Sequence, residues 1–260
     1  MLNFAQMVQT AKLGKTHLFS AGQAGFIIKS KSGQTLAIDL YLSECGERIE
    51  GNVGFKRLLP KILSPDELTL DYIIATHPHF DHFDTDSMPL LMSGGGTELF
   101  ASVDCEQLVA QLKMNDEKTS RRIHYIRPGY SCTVGDFRID FINCDHGTGA
   151  PDAFGVIITV DGLRICEAGD TCLRLDRVNE YNSQGQLDVL IGPINGAYGN
   201  MNEIDFAALC GAVKPKLAIP CHYGMFASHG GNPGVFRREM EEKYSSVPYL
   251  LMRMGEEMIL

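Results

Sequence analysis

The sequence predicts an α/β protein built as layers, and three observations carry that expectation. Short apolar runs of strand length recur along the chain, among them residues 35–40, 71–75, 97–101 and 217–220. Stretches with helical spacing of apolar residues fall between them, at 104–113, 203–213 and 236–244. Each half of the chain also runs from a β-meander into β/α units, which suggests two similar layers packed face to face with helices outside. No low-complexity segment or linker divides the 260 residues, so a single domain spanning 1–260 is expected.

Taken in order, Leu2, Phe4, Ala5, Val8 and Leu13 suggest a short amphipathic helix. Strand-like runs follow at 18–20 and 25–29, then the Lys31-Ser32-Gly33-Gln34 turn and a strand at 35–40 that carries Asp39 near its end. Residues 55–63 hold Lys56, Arg57 and Lys61; Lys56 and Arg57 read as a solvated helix face in preference to phosphate contacts. Ser64-Pro65-Asp66-Glu67 has the pattern of a helix start, with Ser64 as N-cap and Pro65 at the first helical position. After the strand at 71–75, Asp84 and Thr85 are candidates to cap a short helix through Leu91, limited or kinked by Pro89. Gly94-Gly95-Gly96 is a flexible break; no Lys-Ser/Thr follows it, so it is no phosphate-binding loop. A short strand at 122–126 places His124 among apolar neighbours, as a structural histidine. The meander at 130–144 turns at Gly135-Asp136, and 153–160 and 163–168 form a hairpin across Asp161-Gly162. Strand and helix then alternate through 188–192, 203–213, 217–220 and 236–244, and the tail from 249 reads as two short strands.

Composition narrows the function classes. Against 23 Lys and Arg stand 32 Asp and Glu, a net charge of -9 that argues against nucleic acid as a partner. No apolar run approaches membrane-spanning length, and residues 1–13 lack a cationic region followed by an apolar one. The eight cysteines form no CxxC pair and no disulfide-framework spacing; several lie inside apolar runs, a usage that fits a reducing, cytoplasmic setting.

Chemistry concentrates at Thr76-His77-Pro78-His79-Phe80-Asp81-His82, where three of the eight histidines fall within six residues at the exit of a buried strand. Neutral imidazole and carboxylate are the standard ligands of zinc and related divalent ions. The irregular spacing of the four side chains lets two face one way and two the other, which suits two ions side by side. Three further strand exits present ligand-type residues: His146, Asp170 and His222. Singly, each would read as an ordinary loop residue; together with the 76–82 cluster they make a candidate set of five histidines and two carboxylates.

The order of these residues, a His-x-His-x-Asp-His cluster, a distant His, an Asp in a Gly-Asp pair and a late His, resembles the metallo-β-lactamase superfamily. Within it the chain looks most similar to the ascorbate-6-phosphate lactonase-like hydrolases. The supporting stretches are Gly22-Gln23-Ala24-Gly25-Phe26, Ile38-Asp39-Leu40-Tyr41-Leu42, the 76–82 cluster, Ala168-Gly169-Asp170-Thr171 and Ile219-Pro220-Cys221-His222-Tyr223-Gly224. The chain is shorter than that lactonase and departs from it around His146. The resemblance implies a four-layer αβ/βα metallo-β-lactamase-type sandwich with two divalent ions, zinc or manganese. His77, His79 and His146 would hold one ion, Asp81, His82 and His222 the other, and Asp170 would bridge them. Asp39 would support the set from behind.

Two dications bridged by water lower its pKa toward neutrality and polarise the bond to be broken. Two dications, two carboxylates and one hydroxide leave about +1 at such a centre, which favours a small anionic substrate despite the acidic chain. The expected reaction is attack of metal-bound hydroxide on a lactone or ester, with L-ascorbate 6-phosphate lactone or another sugar-acid phosphate as the substrate type and Asp81 orienting the nucleophile. A dinuclear phosphodiesterase and a non-catalytic metal-binding protein are the alternatives. A flavodiiron-type redox protein would need a carboxylate at position 79 and a flavin domain. Asn195, Tyr198 and His229, in loops after two of the strands, are the candidate substrate contacts. A homo-oligomer stays open.

Overall fold

A computed structural model describes residues 2–260; Met1 lies outside them. The chain divides into two compact units, residues up to 126 with 253–260, and residues 127–252.

In the first unit, helix α1 (Phe4–Thr10) precedes the antiparallel strands β1 (His17–Gly22), β2 (Gly25–Lys29) and β3 (Thr35–Ile38). Helix α2 (Cys45–Glu50) leads to β4 (Tyr72–Ala75), α3 (Met88–Ser93), β5 (Glu98–Ser102), α4 (Glu106–Gln111), α5 (Glu117–Ser120) and β6 (Ile123–Ile126). Strands β3 to β6 run parallel, while β13 (Glu257–Ile259) returns to pair antiparallel with β1, so the sheet order is β13-β1-β2-β3-β4-β5-β6. Its central strands are buried on both faces, as parallel strands flanked by helices must be. One apolar cluster joins Phe4 and Val8 of α1 to Phe19, Ile27, Ile73 and Leu99 of the sheet and Met88 of α3.

The second unit holds β7 (Ser131–Val134), β8 (Phe137–Asn143), β9 (Phe154–Val160) and β10 (Leu163–Glu167) as an antiparallel meander. Then come α6 (Val178–Asn182), β11 (Val189–Pro193), α7 (Glu203–Val213), β12 (Ala218–Cys221) and α8 (Pro233–Lys243), with β10, β11 and β12 parallel and the order β12-β11-β10-β9-β8-β7. Asp161 and Gly162 both take positive φ in the β9–β10 turn, as the two-residue hairpin signal requires. Asn202 caps α7 through the backbone amides of Ile204 and Asp205, and Asp205 returns a bond to the Asn202 amide. Phe206 of α7 lies in the cluster with Leu190, Ile194 and Phe236. It packs against Gly192, where a Cβ would stand 2.5 Å from its ring.

Several local expectations give way to tertiary context. Ser64-Pro65-Asp66-Glu67 closes on itself, Glu67 Oε2 accepting the Ser64 amide and Ser64 O accepting that of Glu67, but no helix follows. Leu68 and Leu70 instead go into the core and β4 begins at Tyr72. Arg57 is no solvated helix residue: it is buried, lies over the Tyr41 ring, and donates to the carbonyls of Tyr41 and Leu59. The helix placed after Asp84 starts only at Met88, which puts Pro89 in the first turn, where its missing N–H costs nothing. The tail forms a single strand, β13, plus a bridge from Tyr249 to Ala218. Buried Lys29 caps α1, its Nζ donating to Val8 O, Gln9 O and Ala11 O. No helix among the described residues is long and apolar enough to cross a membrane.

Gly192→Ala should destabilise the second unit by about 1–3 kcal/mol, because the fully buried Phe206 ring has no room to yield; denaturant unfolding measures it. All eight cysteines are free, and burial beside Asp84 pushes the Cys45 thiol up to about 12. A raised thiol pKa leaves little thiolate at pH 8. Iodoacetamide on the native protein at that pH should therefore spare Cys45 and reach half-buried Cys132 first, as peptide mass spectrometry would show.

Candidate metal centre

In the first unit the candidate ligands hang from the exit of β4, and the exit of β3 beside it holds them. Asp39, the residue after β3, sits at φ 47 with its side chain fully buried. Its Oδ1 accepts the Thr76 amide at 2.8 Å, and its Oδ2 accepts the Thr76 hydroxyl at 2.6 Å and faces His82 Nδ1 at 2.7 Å. Since the Thr76 hydroxyl donates to Asp39, its oxygen is the acceptor for His77 Nδ1–H at 3.0 Å. With Nδ1 as the donor in each, His77 and His82 carry unprotonated Nε2 atoms, the tautomer that ligation through Nε2 requires.

A tight turn brings the remaining groups round, with the amides of His82 and Phe83 both donating to His79 O. The rings of His77 and His82 come to 4.0 Å between centroids, and His77 Nε2 meets His79 Nδ1 at 3.0 Å. Asp81 Oδ2 lies 3.8 Å from His82 Nε2 and accepts Gln23 Nε2 at 2.8 Å. The far end of the turn is pinned by Asp84, which accepts the amides of Leu42 and Ser43 and the hydroxyls of Ser43 and Ser87. His77, Asp81 and His82 are buried and His79 is half-buried.

The second unit gathers its own set. Gly169, at φ 70 and with its would-be Cβ 2.8 Å from Phe154 O, is the turn that delivers Asp170 from β10. Asp170 Oδ2 stands 3.2 Å from His222 Nε2 and 4.0 Å from His146 Nε2, and it accepts Asn200 Nδ2 at 2.7 Å. The backbone before His146 is tied to the Asp170 turn: the Asp145 amide donates to Thr171 Oγ1 and the Cys172 amide to Asp145 O. Cys144 Sγ donates to Asp170 O, and burial near that carboxylate pushes its thiol well above the usual range. His222 leaves β12 at φ 62, and its ring lies 5.1 Å from that of His229. Tyr198, exposed at its loop tip, tilts over His229 at 5.3 Å, and Asn195 is buried at the exit of β11.

Within each unit, then, the expected ligand residues converge. The donor set, imidazole nitrogens and carboxylate oxygens meeting in largely buried surroundings, with His77, His82, Asp81 and Asp170 each held by a further hydrogen bond, fits a hard-to-borderline divalent cation. Two contributors escaped the sequence reading. Gln23 lay in the Gly22-Gln23-Ala24-Gly25 turn, but nothing in its spacing tied it to Asp81. Asn200 sat in the 193–202 loop, but its contact with Asp170 depends on how that loop folds back.

These features place the molecule in a class, the α/β proteins with two mixed sheets flanked by helices and His/Asp ligand-type residues at the strand exits. The chain belongs to the metallo-β-lactamase superfamily: the family model described as a β-lactamase superfamily domain matches residues 17–222. It is 28% identical over 245 residues to a UPF0173 metal-dependent hydrolase of Anaeromyxobacter dehalogenans, covering 90% of this chain and 84% of that protein. In fold it is similar to Igni18, a metallo hydrolase of Ignicoccus hospitalis, with a TM-score of 0.72 at 21% identity over 95% of this chain and 98% of that one. The metallo-β-lactamase fold protein YhfI of Bacillus subtilis superposes with a TM-score of 0.69 at 17% identity, over 95% and 99%.

Removing the Asp39 carboxylate leaves the Thr76 amide and His82 Nδ1–H without their acceptor in a dry setting. Asp39→Ala should cost about 2–3 kcal/mol in denaturant unfolding and weaken divalent-metal affinity about 10–100-fold by equilibrium dialysis.

Proposed function

We propose that this protein is a metal-dependent hydrolase that cleaves a lactone or ester bond in a small anionic substrate. The observation that carries the reading is the convergence of imidazoles and carboxylates at the strand exits of each unit, with His77 and His82 of the first held through their Nδ1 atoms. If the superfamily pattern holds, His77, His79 and His146 would hold one ion and Asp81, His82 and His222 a second, with Asp170 serving both. The imidazoles of such a set suit zinc, and its carboxylates suit manganese. Bound there, the ions would supply a water of lowered pKa and polarise the oxygen of the scissile bond.

The chain's own residues do the rest. Asp39 and Thr76 hold His77 and His82 in their ligating tautomers, so no reorganisation accompanies the reaction. Asp81, whose Oδ2 accepts from Gln23, would orient the attacking water and accept its proton. Tyr198 and His229 form an aromatic rim for the substrate. The UPF0173 relatives are named metal-dependent hydrolases, which supports the reaction class. A sugar-acid phosphate lactone is the substrate type that the lactonase-like resemblance favours. Eight free thiols, several deep in apolar surroundings, support a reducing, cytoplasmic setting.

Elemental analysis of the purified protein should find bound zinc or manganese in the wild type and a loss of at least half of it in His77→Ala and in Asp170→Ala; unchanged metal content would defeat the ligand assignment. Chelation should abolish lactone hydrolysis, and added zinc or manganese should restore it. Turnover of phosphodiesters but not of lactones would move the protein to the phosphoryl hydrolases.

A further inference from the structure

Between the strands that deliver Asp170 and His222 lies β11, the middle strand of the parallel trio β12-β11-β10. Along it, Leu190, the open face of Gly192 and Ile194 all turn toward Phe206 and the apolar cluster under α7. Side chains on an extended strand alternate, and the Asn195–Asn202 bridge keeps the chain extended at its exit. Asn195 therefore projects from the opposite face of the sheet, at the carboxyl end, flanked by the exits that carry Asp170 and His222. The residue is 4% exposed, yet neither Nδ2 nor Oδ1 is hydrogen-bonded by any protein atom. Five residues on, Asn200 spends its Nδ2 on Asp170 while its buried Oδ1 has no partner.

Burying an amide with both ends unsatisfied costs stability and would be relieved by almost any apolar residue. The fold nevertheless presses its backbone against this position. A Cβ on Gly230 would stand 2.4 Å from Asn195 O, so the loop carrying His229 closes directly onto Asn195 because residue 230 is glycine. A pre-positioned, unpaired donor next to ligand residues is the arrangement that stabilises charge developing on a reacting oxygen.

We infer that Asn195 is a catalytic residue: its Nδ2–H donates to the substrate oxygen that gains charge, and its Oδ1 accepts an O–H or N–H of the same substrate. In the step it serves, the oxygen of water bonds to the carbonyl carbon, the C=O π pair moves onto the carbonyl oxygen facing Asn195 Nδ2, and the water proton passes to a base. Return of that pair breaks the bond to the leaving oxygen, which takes the proton. The inference rests on the hydrolase reading and narrows it to carbonyl compounds with a hydrogen-bond donor close to the reacting carbonyl. A phosphodiester presents only acceptors at its centre and would leave Asn195 Oδ1 facing oxygen.

The test is Asn195→Leu, a change close to isosteric that removes both unpaired groups. Thermal unfolding of the metal-loaded protein should rise by about 2–4 °C, a readout that needs no substrate. With glucono-δ-lactone, kcat should fall about 10²–10³-fold with a smaller change in KM. With δ-valerolactone, which lacks the hydroxyls, the wild type should lose efficiency relative to glucono-δ-lactone and the variant should lose much less by comparison. A lower unfolding temperature for the variant would show that the protein itself satisfies the amide and would overturn the inference whether or not turnover is seen. Full kcat in the variant would overturn it while leaving the hydrolase reading intact. Failure of the metal-loaded wild type on both lactones would instead sink the lactone reading, and this role for Asn195 with it.

Discussion

The Asp39 carboxylate is the constraint on which the first unit's site depends. A single buried acid accepts from the Thr76 amide and hydroxyl and engages His82, joining the exits of two adjacent parallel strands. Its effect reaches the Nε2 atoms of His77 and His82 through the placement of protons. Because the Thr76 hydrogen points at Asp39, the Thr76 oxygen must receive His77 Nδ1–H, and both histidines turn unprotonated Nε2 atoms outward. A carboxylate that would be costly to bury alone is satisfied by three donors, and those donors include the groups that must be oriented. The left-handed backbone at Asp39 belongs to the same arrangement, since it turns the side chain back under β4.

The second unit orients its residues by other means. Backbone geometry does most of it: Gly169 makes the turn that only glycine can make at that distance from Phe154 O, and His222 is held at positive φ directly after β12. Asn200 then fixes one oxygen of Asp170, leaving it directed toward His222 and His146. Both units place their chemistry at the carboxyl ends of parallel strands. There the strands are buried on both faces and rigid, while the loops beyond them are free to vary.

Most of the architecture was legible because the signals were local and repeated. The spacing of apolar residues over 203–213 agrees with the helix formed there, and Asp161-Gly162 takes the positive φ values that its two-residue hairpin signal calls for. Where local and tertiary demands conflicted, the local signal lost. The capped turn at Ser64–Glu67 is present in its hydrogen bonds but has only four residues before β4 must begin, and Leu68 and Leu70 are drawn into the core. Arg57 read as a surface cation; in the fold its guanidinium is buried and donates to the carbonyls of Tyr41 and Leu59.

What the sequence determined by itself was the identity and order of the ligand-type residues, since three histidines and an aspartate within six residues at a strand exit leave little other use for them. Asp39 could also be marked from sequence, because a carboxylate closing an apolar strand needs a partner. Which partner it takes, and the tautomers that follow, only the tertiary structure decided, because hydrogen bonds between Asp39 and His82 span 43 positions of chain. The same holds for Gln23 on Asp81, Asn200 on Asp170 and the unpaired amide of Asn195. Amide side chains carry no charge pattern or periodicity, so their roles emerge only when the strands are in register and the loops are closed.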